Sequence, residues 1–308
     1  MIYTVTLNPA VDLVLSLDAL KQGEVNRVNT ENVVIGGKGI NVSLLLKALH
    51  TESTALGFVS GFTGALIRDG MREKGINTDF IELDAGFTRI NVKLHAEEET
   101  EINGSGPSIP KDKLELFFAQ LKALKSGDTL VVSGSVPRSL PSDIYARIAS
   151  AAADRGVRLA VDAAGELLRS TLPYKPFLVK PNREELGALF GEKAETDEDI
   201  LRLAEKLQAL GAQHVLVSMA GDGALLKTRG GRVYKAPAAK GQVVNSVGAG
   251  DSMVGGFLAA LERGEDLPEA LALGTASGGA TAFSVGIADY EKIMEIYNTV
   301  NSGVYCIE

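Results

Sequence analysis

Residues 245–251 have the sequence Asn-Ser-Val-Gly-Ala-Gly-Asp and lead directly into a predicted helix over 250–263. Glycines on both sides of Ala249 permit backbone torsions that other residues avoid, so successive N–H groups can turn toward one point. The free N–H groups and the positive dipole at the start of a helix attract anions. The pattern therefore predicts an anion site with Asp251 in the first helical turn. The alternative is that Asp251 only caps its helix, which is a common use of aspartate.

Two other glycine-rich phosphate motifs are excluded by spacing. A dinucleotide fingerprint requires a third glycine at the position that Met253 occupies. A P-loop requires Ser or Thr after Gly-Lys, whereas Gly37-Lys38 is followed by Gly39. The anion site at 245–251 is therefore of a different kind.

Strand-like and helix-like segments alternate on the N-terminal side of this stretch from about residue 54. Such alternation indicates an α/β fold with a mostly parallel sheet covered on both faces, and we expect a single domain over residues 1–308. Strands are predicted at 2–7, 54–60, 79–83, 128–133, 157–161, 177–180, 214–218, 223–228 and 232–236. Helices are predicted at 39–49, 63–74, 111–125, 141–155, 182–190, 196–210, 250–263, 267–283 and 289–300.

Two further segments, 11–34 and 87–103, alternate apolar and polar residues in the manner of exposed strands. Strands are predicted at 11–17, 24–34 and 88–95. Together they would form a small sheet outside the main core, with one apolar and one polar face. An apolar face of this kind is typical of a lid or a subunit contact.

Composition limits the possible partners. The 308 residues carry a formal net charge of −8, which argues against nucleic acid or an anionic membrane as the main partner. The only cysteine, Cys306, excludes an internal disulfide, and the N-terminus lacks the pattern of a signal peptide. We therefore expect a cytoplasmic globular protein.

The stretch 245–251 resembles the second signature of the ribokinase-like sugar kinases, the PfkB family. The Asn-Ser at its start replaces the Asp-Thr of many members and resembles the branch that acts on phosphofructose and phosphotagatose. Four other segments resemble the family in the same order along the chain: Asn8-Pro9-Ala10-Val11-Asp12, Gly36-Gly37-Lys38-Gly39-Ile40-Asn41, Lys180-Pro181-Asn182-Arg183-Glu184-Glu185 and Ser218-Met219-Ala220-Gly221-Asp222-Gly223.

The resemblance implies a three-layer α/β/α sandwich with a β-sheet lid formed by about 11–34 and 87–103, and it implies roles for specific residues. Asp251 would be the catalytic base, and the backbone of Gly248, Ala249 and Gly250 would hold the transferring phosphate. The residues implied in ATP binding are Lys180, Asn182, Ser218, Gly221, Gly223, Ser246, Gly248 and Gly250. The residues implied in acceptor binding are Asp12, Arg27, Gly37, Lys38, Asn41, Arg89 and Ser133.

Glu185, three residues after Asn182, would hold Mg²⁺ through water. These two residues also fit an ordinary helix start after Pro181. The alternative for the cations Lys38 and Arg89 is solvated surface, which is the usual place of a lone lysine or arginine.

The cations Lys38, Arg89 and Arg27 favour a phosphorylated acceptor. Residues 61–64, 88–93 and 101–104 most resemble family members that act on fructose 1-phosphate. We therefore expect ATP-dependent phosphorylation of its C6 hydroxyl to give fructose 1,6-bisphosphate. The alternatives are a kinase for tagatose 6-phosphate or fructose 6-phosphate, or a non-catalytic sugar-phosphate sensor. Family members often pair their lids, so we also expect a homodimer through the lid.

Overall fold

The computed structural model describes residues 1–307, and within them the strands form two separate sheets. The strands are β1 (Ile2–Thr6), β2 (Ala10–Ser16), β3 (Thr30–Gly36), β4 (Ser53–Ser60), β5 (Asn77–Leu83), β6 (Arg89–His95), β7 (Glu99–Asn103), β8 (Thr129–Ser133), β9 (Arg158–Asp162), β10 (Leu178–Val179), β11 (His214–Ser218), β12 (Ala224–Lys227), β13 (Val233–Ala236) and β14 (Tyr305–Ile307). The α-helices are α1 (Lys38–Ala48), α2 (Gly61–Glu73), α3 (Lys111–Ala123), α4 (Ile144–Ala153), α5 (Gly165–Arg169), α6 (Arg183–Phe190), α7 (Asp197–Leu210), α8 (Ala249–Glu262), α9 (Leu267–Ala282) and α10 (Tyr290–Asn301).

The larger sheet has ten strands in the order β14-β13-β12-β11-β10-β9-β8-β1-β4-β5. Neighbours from β11 to β5 pair in parallel, and β12, β13 and β14 add an antiparallel edge. Because parallel strands need crossover connections, helices lie between them in sequence and cover the sheet. The predicted α/β class and mostly parallel sheet are confirmed.

Both faces of this sheet are packed. Along β8, Leu130 and Val132 belong to the apolar cluster under α3, α4, α6 and α7, while Val131 belongs to the cluster under α1, α8 and α9. Successive strand residues point to opposite faces, so this alternation shows a helix layer on each side of the sheet. The three layers match the predicted sandwich.

The smaller sheet, β3-β2-β6-β7, is formed by the predicted segments and has one polar and one apolar face. Its apolar face contacts α2 only at one end, where Val11 and Ile35 join a small cluster with Ile67 and Met71. Farther along the same face the apolar side chains are more exposed. We refer to β3-β2-β6-β7 as the small sheet.

Two local predictions were wrong or incomplete. The strand expected at 24–34 begins only at Thr30, because the segment before it forms a loop in which the Asn26 side chain accepts from the Lys21 N–H at 2.8 Å and donates to the Lys21 carbonyl. The edge strand β14 near the C-terminus was not predicted. It is only three residues long and pairs with β13, so no periodic pattern indicates it.

Among the residues that the structure describes, no helix combines the length and the apolarity that crossing a membrane requires.

Candidate active site

A cavity of about 1150 Å³ opens at the carboxyl ends of the parallel strands. Thr6, Asp162 and Ser218, which end β1, β9 and β11, all line it. The N-termini of α1 and α8 also border the cavity, and the polar face of the small sheet closes one side. Ligands of open α/β sheets bind at this edge, where loops of several strands converge.

Asp251 lies on the wall of this cavity, in the first turn of α8, and its side chain is 5% exposed. The N-cap position is held by Gly248, which has a φ of 82°, and no side chain caps the helix. The Asp251 carboxylate instead accepts a hydrogen bond from Asn41 Nδ2 at 2.8 Å. The interpretation of Asp251 as a simple helix cap is therefore not supported by the geometry.

Burial and the nearby carboxylate of Asp162 raise the pKa of Asp251 to about 7, against the opposing effects of Asn41, Lys38 and Lys180. A carboxylate with a pKa near neutrality can accept a proton from an alcohol more readily than an ordinary surface aspartate. Asp251 is therefore the candidate general base of this cavity.

The loop before α8 presents backbone donors beside Asp251. Within residues 1–307 the N–H groups of Gly248, Gly250 and Asp251 have no hydrogen-bond partner. The Ala249 N–H, predicted to be a free donor, instead donates to the Ser246 carbonyl at 3.2 Å because the chain makes a tight turn there. The predicted anion site therefore has free donors at Gly248 and Gly250 but not at Ala249.

Two lysines flank this loop around a buried carboxylate that the sequence analysis missed. Asp162 is 1% exposed and lies 3.3 Å from Lys38 Nζ and 3.3 Å from Lys180 Nζ, the latter as an ion pair without hydrogen-bond geometry. Burial raises the pKa of Asp162, but the two ammonium groups outweigh it and the net pKa lies below the ordinary value. The only sequence signal for Asp162 is its place at the end of a strand.

The residues predicted to bind the nucleotide all reach the cavity, although one of them, Asn182, also has a structural role together with Glu185, the predicted Mg²⁺ residue. Lys180, Ser218, Gly221, Gly223 and Ser246 line its wall. Asn182 and Glu185 line it too and form a capping box at the start of α6, with Asn182 Oδ1 accepting from the Glu185 N–H at 2.7 Å and Glu185 Oε2 accepting from the Asn182 N–H at 2.8 Å. The predicted helix start is thus present.

The predicted acceptor residues Asp12, Gly37, Lys38, Asn41 and Arg89 also line the cavity, with Arg89 and Asp12 on the polar face of the small sheet. Arg89 Nε donates to the Asn8 carbonyl at 3.1 Å. The same face adds the cavity residues Asn91, Lys93 and Asn103, which the sequence analysis did not assign. Polar residues alternate with apolar ones along these strands. This pattern would have indicated the three residues if it had been known that the polar face of the small sheet faces the cavity.

Two predicted acceptor residues do not line the cavity. Arg27 is exposed in the loop before β3, outside the cavity. Ser133 is buried, since its side chain points into the interior at the end of β8, and the chain then turns at Gly134, which has a φ of 90°. Gly134 and Ser135 reach the cavity in its place.

The chain is similar to known carbohydrate kinases over most of its length. Residues 5–292 match the pfkB family of carbohydrate kinases. The chain is 48% identical to a 1-phosphofructokinase of Bacillus subtilis, over 96% of this chain and 97% of that protein. It is 40% identical to a D-tagatose-1-phosphate kinase of Bacillus licheniformis, over 95% of this chain and 96% of that protein.

Among solved structures, the chain resembles phosphofructokinase-2 of Escherichia coli in complex with substrates and products. The TM-score is 0.91 at 28% sequence identity, and the match covers 97% of this chain and 99% of that one. Another structure of the Escherichia coli enzyme is described as its tetrameric inhibited form.

Proposed function

Because the chain belongs to the pfkB family of carbohydrate kinases, it is a phosphotransferase, and we propose that it transfers the γ-phosphate of ATP to the C6 hydroxyl of fructose 1-phosphate. The observation that carries this proposal is the buried Asp251, with a pKa of about 7, beside free backbone donors in a cavity with cations at both ends. Those features supply a base, an anion site and a grip on a phosphorylated acceptor. They also speak against a sugar-phosphate sensor, which would need no base.

In the proposed reaction, Asp251 accepts the proton of the C6 hydroxyl as its oxygen forms a bond to the γ-phosphorus. The bond from that phosphorus to the bridging oxygen of ADP breaks, and ADP leaves. Charge spreads over the transferring group, where the N–H groups of Gly248 and Gly250 and the ammonium groups of Lys38 and Lys180 stabilise it. Asn41 orients the Asp251 carboxylate through its hydrogen bond.

The nucleotide of a sugar kinase is used with Mg²⁺, and the donors here fit a water-mediated site. Within residues 1–307 no group of three His, Cys, Asp or Glu side chains forms a metal cage. Mg²⁺ keeps several water ligands and needs few protein oxygens, so Glu185 and Asn182 at the cavity wall would hold it through water. When bound, the ion would neutralise charge on the ATP phosphates.

The acceptor assignment is supported by the similarity to a 1-phosphofructokinase over nearly the full length of both chains. The second candidate is tagatose 1-phosphate, which the similarity to a D-tagatose-1-phosphate kinase favours. It joins the tagatose 6-phosphate and fructose 6-phosphate alternatives of the sequence analysis. The two sugars differ only in configuration at C4, so both offer a C6 hydroxyl opposite the phosphate.

We further propose that the small sheet serves as a lid and as the contact of a homodimer, in a cytoplasmic protein. Its apolar face carries Val33 and Ile102, which are 60% and 59% exposed, beside the half-buried Leu13 and Val92. A two-fold contact between two such faces would remove them from water. The single cysteine, Cys306, supports a reducing compartment.

A coupled assay of ADP release across fructose 1-phosphate, tagatose 1-phosphate, fructose 6-phosphate and tagatose 6-phosphate tests the assignment. We expect the highest kcat/KM with fructose 1-phosphate. Higher activity with either 6-phosphate would place the phosphate grip at the other end of the sugar. Binding of the sugars without ADP release would favour the sensor.

A further inference from the structure

The acceptor end of the cavity contains a charged network on the small sheet. Lys93 lies two residues after Asn91 on β6, and both line the cavity. Lys93 Nζ is 3.2 Å from Asp12 Oδ2, while Asn91 Nδ2 donates to Asp12 Oδ1 at 2.8 Å. The Asn91 amide is itself fixed, because its oxygen accepts from the Gly104 N–H at 3.2 Å. Both oxygens of Asp12 are thus engaged in the ligand-free arrangement.

The charges at this end do not cancel. Arg89 and Lys93 share the cavity face of β6, about 13 Å apart along the strand at their Cα atoms, and Asp12 lies opposite Asn91, between them. Glu101 is 3.8 Å from Lys93 Nζ, but its side chain is 51% exposed, so solvent screens that contact. Without Lys93, the charges of Arg89 and Asp12 would balance. With Lys93, the cations of the cavity wall outnumber Asp12 there, and the exposed Glu101, which does not line the cavity, offsets this excess only in part.

We propose that Lys93 is a specificity-determining residue that selects acceptors with a phosphate at the end remote from Asp251, an inference that rests on the proposed function. A phosphate that reaches Lys93 from the side of Arg89 takes the ammonium from Asp12. The released Asp12 oxygen then accepts a hydrogen bond from a sugar hydroxyl.

A neutral sugar offers the hydroxyl but no anion for the ammonium. Lys93 and Asp12 are 16% and 14% exposed, so a neutral sugar would separate a largely buried ion pair without replacing it. A substrate that leaves a buried polar group of the site unpaired is strongly rejected. Lys93 therefore acts both for the phosphorylated sugar and against the neutral one.

The test is Lys93→Met, which keeps an unbranched apolar side chain and removes the charge. For fructose 1-phosphate we expect kcat/KM to fall roughly ten- to hundredfold, mainly through KM, as for the loss of a hydrogen bond to a charged group. For unphosphorylated fructose, the affinity measured by calorimetry and any turnover should stay equal or improve, and KM for ATP should change less than about twofold. Lys113→Met is the matched control, since Lys113 lies on α3 and pairs with Asp84, which follows β5, and neither residue lines the cavity.

A second arm separates contact with the phosphate from mere support of Asp12. In an Asp12→Asn background, Lys93→Met should still weaken fructose 1-phosphate by a similar factor if the ammonium binds the phosphate. No further loss in that background, or equal losses for fructose 1-phosphate and fructose, would overturn the inference while leaving the proposed function intact. An unmutated chain that neither binds nor phosphorylates fructose 1-phosphate would overturn both.

Discussion

Asp251 combines burial, a hydrogen bond from Asn41 and a position at the start of α8. Replacement by asparagine keeps the shape of the side chain but removes its ability to accept a proton. We expect Asp251→Asn to lower kcat by about a hundred- to ten-thousandfold while the KM for the sugar phosphate changes little. Steady-state kinetics with fructose 1-phosphate and ATP measure both. A variant that keeps most of its kcat would leave Asp251 without a catalytic role.

The raised pKa of Asp251 also predicts a pH dependence. The base acts only when deprotonated, so activity should rise with pH through a midpoint of about 7. One unit below that midpoint only about a tenth of the carboxyl groups are ionised. We expect kcat/KM measured between pH 5.5 and 8.5 to show this acidic limb and then a plateau. A limb in the ordinary carboxyl range, near pH 4, would contradict the effects of burial and Asp162.

At the scale of residues, the sequence was informative where a motif is local. Asp251, Lys38 and Asn41 lie in short signatures, and all three meet at the cavity. Asp162 belongs to no signature, and Lys93 lies within the family-like residues 88–93 but was given no role there. Both reach the site because the two sheets bring β9 and β6 to it. Arg27 was predicted to bind the acceptor but lies outside the cavity. A charge in a loop does not show which way the loop folds.

At the scale of elements, Asn182 and Glu185 at the start of α6 have two assignments, one in the capping box of the helix and one in the proposed Mg²⁺ site. The capping box needs an oxygen at position 185, whereas the proposed Mg²⁺ site would use its negative charge. We expect Glu185→Gln to keep the melting temperature near that of the unmutated protein, and to raise the Mg²⁺ concentration for half-maximal activity about tenfold or more.

The matched variant for α6 is Asn182→Ala, which removes the cap and should lower stability by about 1 kcal/mol. Thermal unfolding distinguishes the two variants, because only Asn182→Ala removes the oxygen that caps the helix. An unchanged Mg²⁺ requirement in Glu185→Gln would assign that carboxylate to the helix cap alone.

Elements with a strong local pattern were predicted and are present, such as β6 with its strict alternation and α8 with its buried stripe. Elements that depend on partners distant in sequence were not predicted. The strand β14 has three residues and exists because β13 offers a free edge. The boundary of β3 at Thr30 follows from the hydrogen bonds of Asn26 within its loop, which apolar alternation does not indicate.

At the scale of the whole molecule, the exposed apolar face of the small sheet predicts assembly. Sedimentation at micromolar concentration should give twice the chain mass of 32.4 kDa. Val33 is exposed in the single chain, so Val33→Lys should yield monomers without unfolding them. Leu116→Lys, at a similarly exposed site on α3, is the control and should remain dimeric. A monomeric unmutated protein would reject this contact.

The position of β1 inside the large sheet, between β8 and β4, has a consequence for synthesis of the chain on the ribosome. Ile2 pairs with Ser53 on one side and with Thr129 on the other. The first strand can therefore acquire one neighbour early, but its second edge stays open until β8 has been translated. At about 5–20 residues per second, that interval lasts several seconds. Open strand edges can pair with other chains, so the edge of β1 can recruit other chains until β8, which ends at Ser133, has left the ribosome.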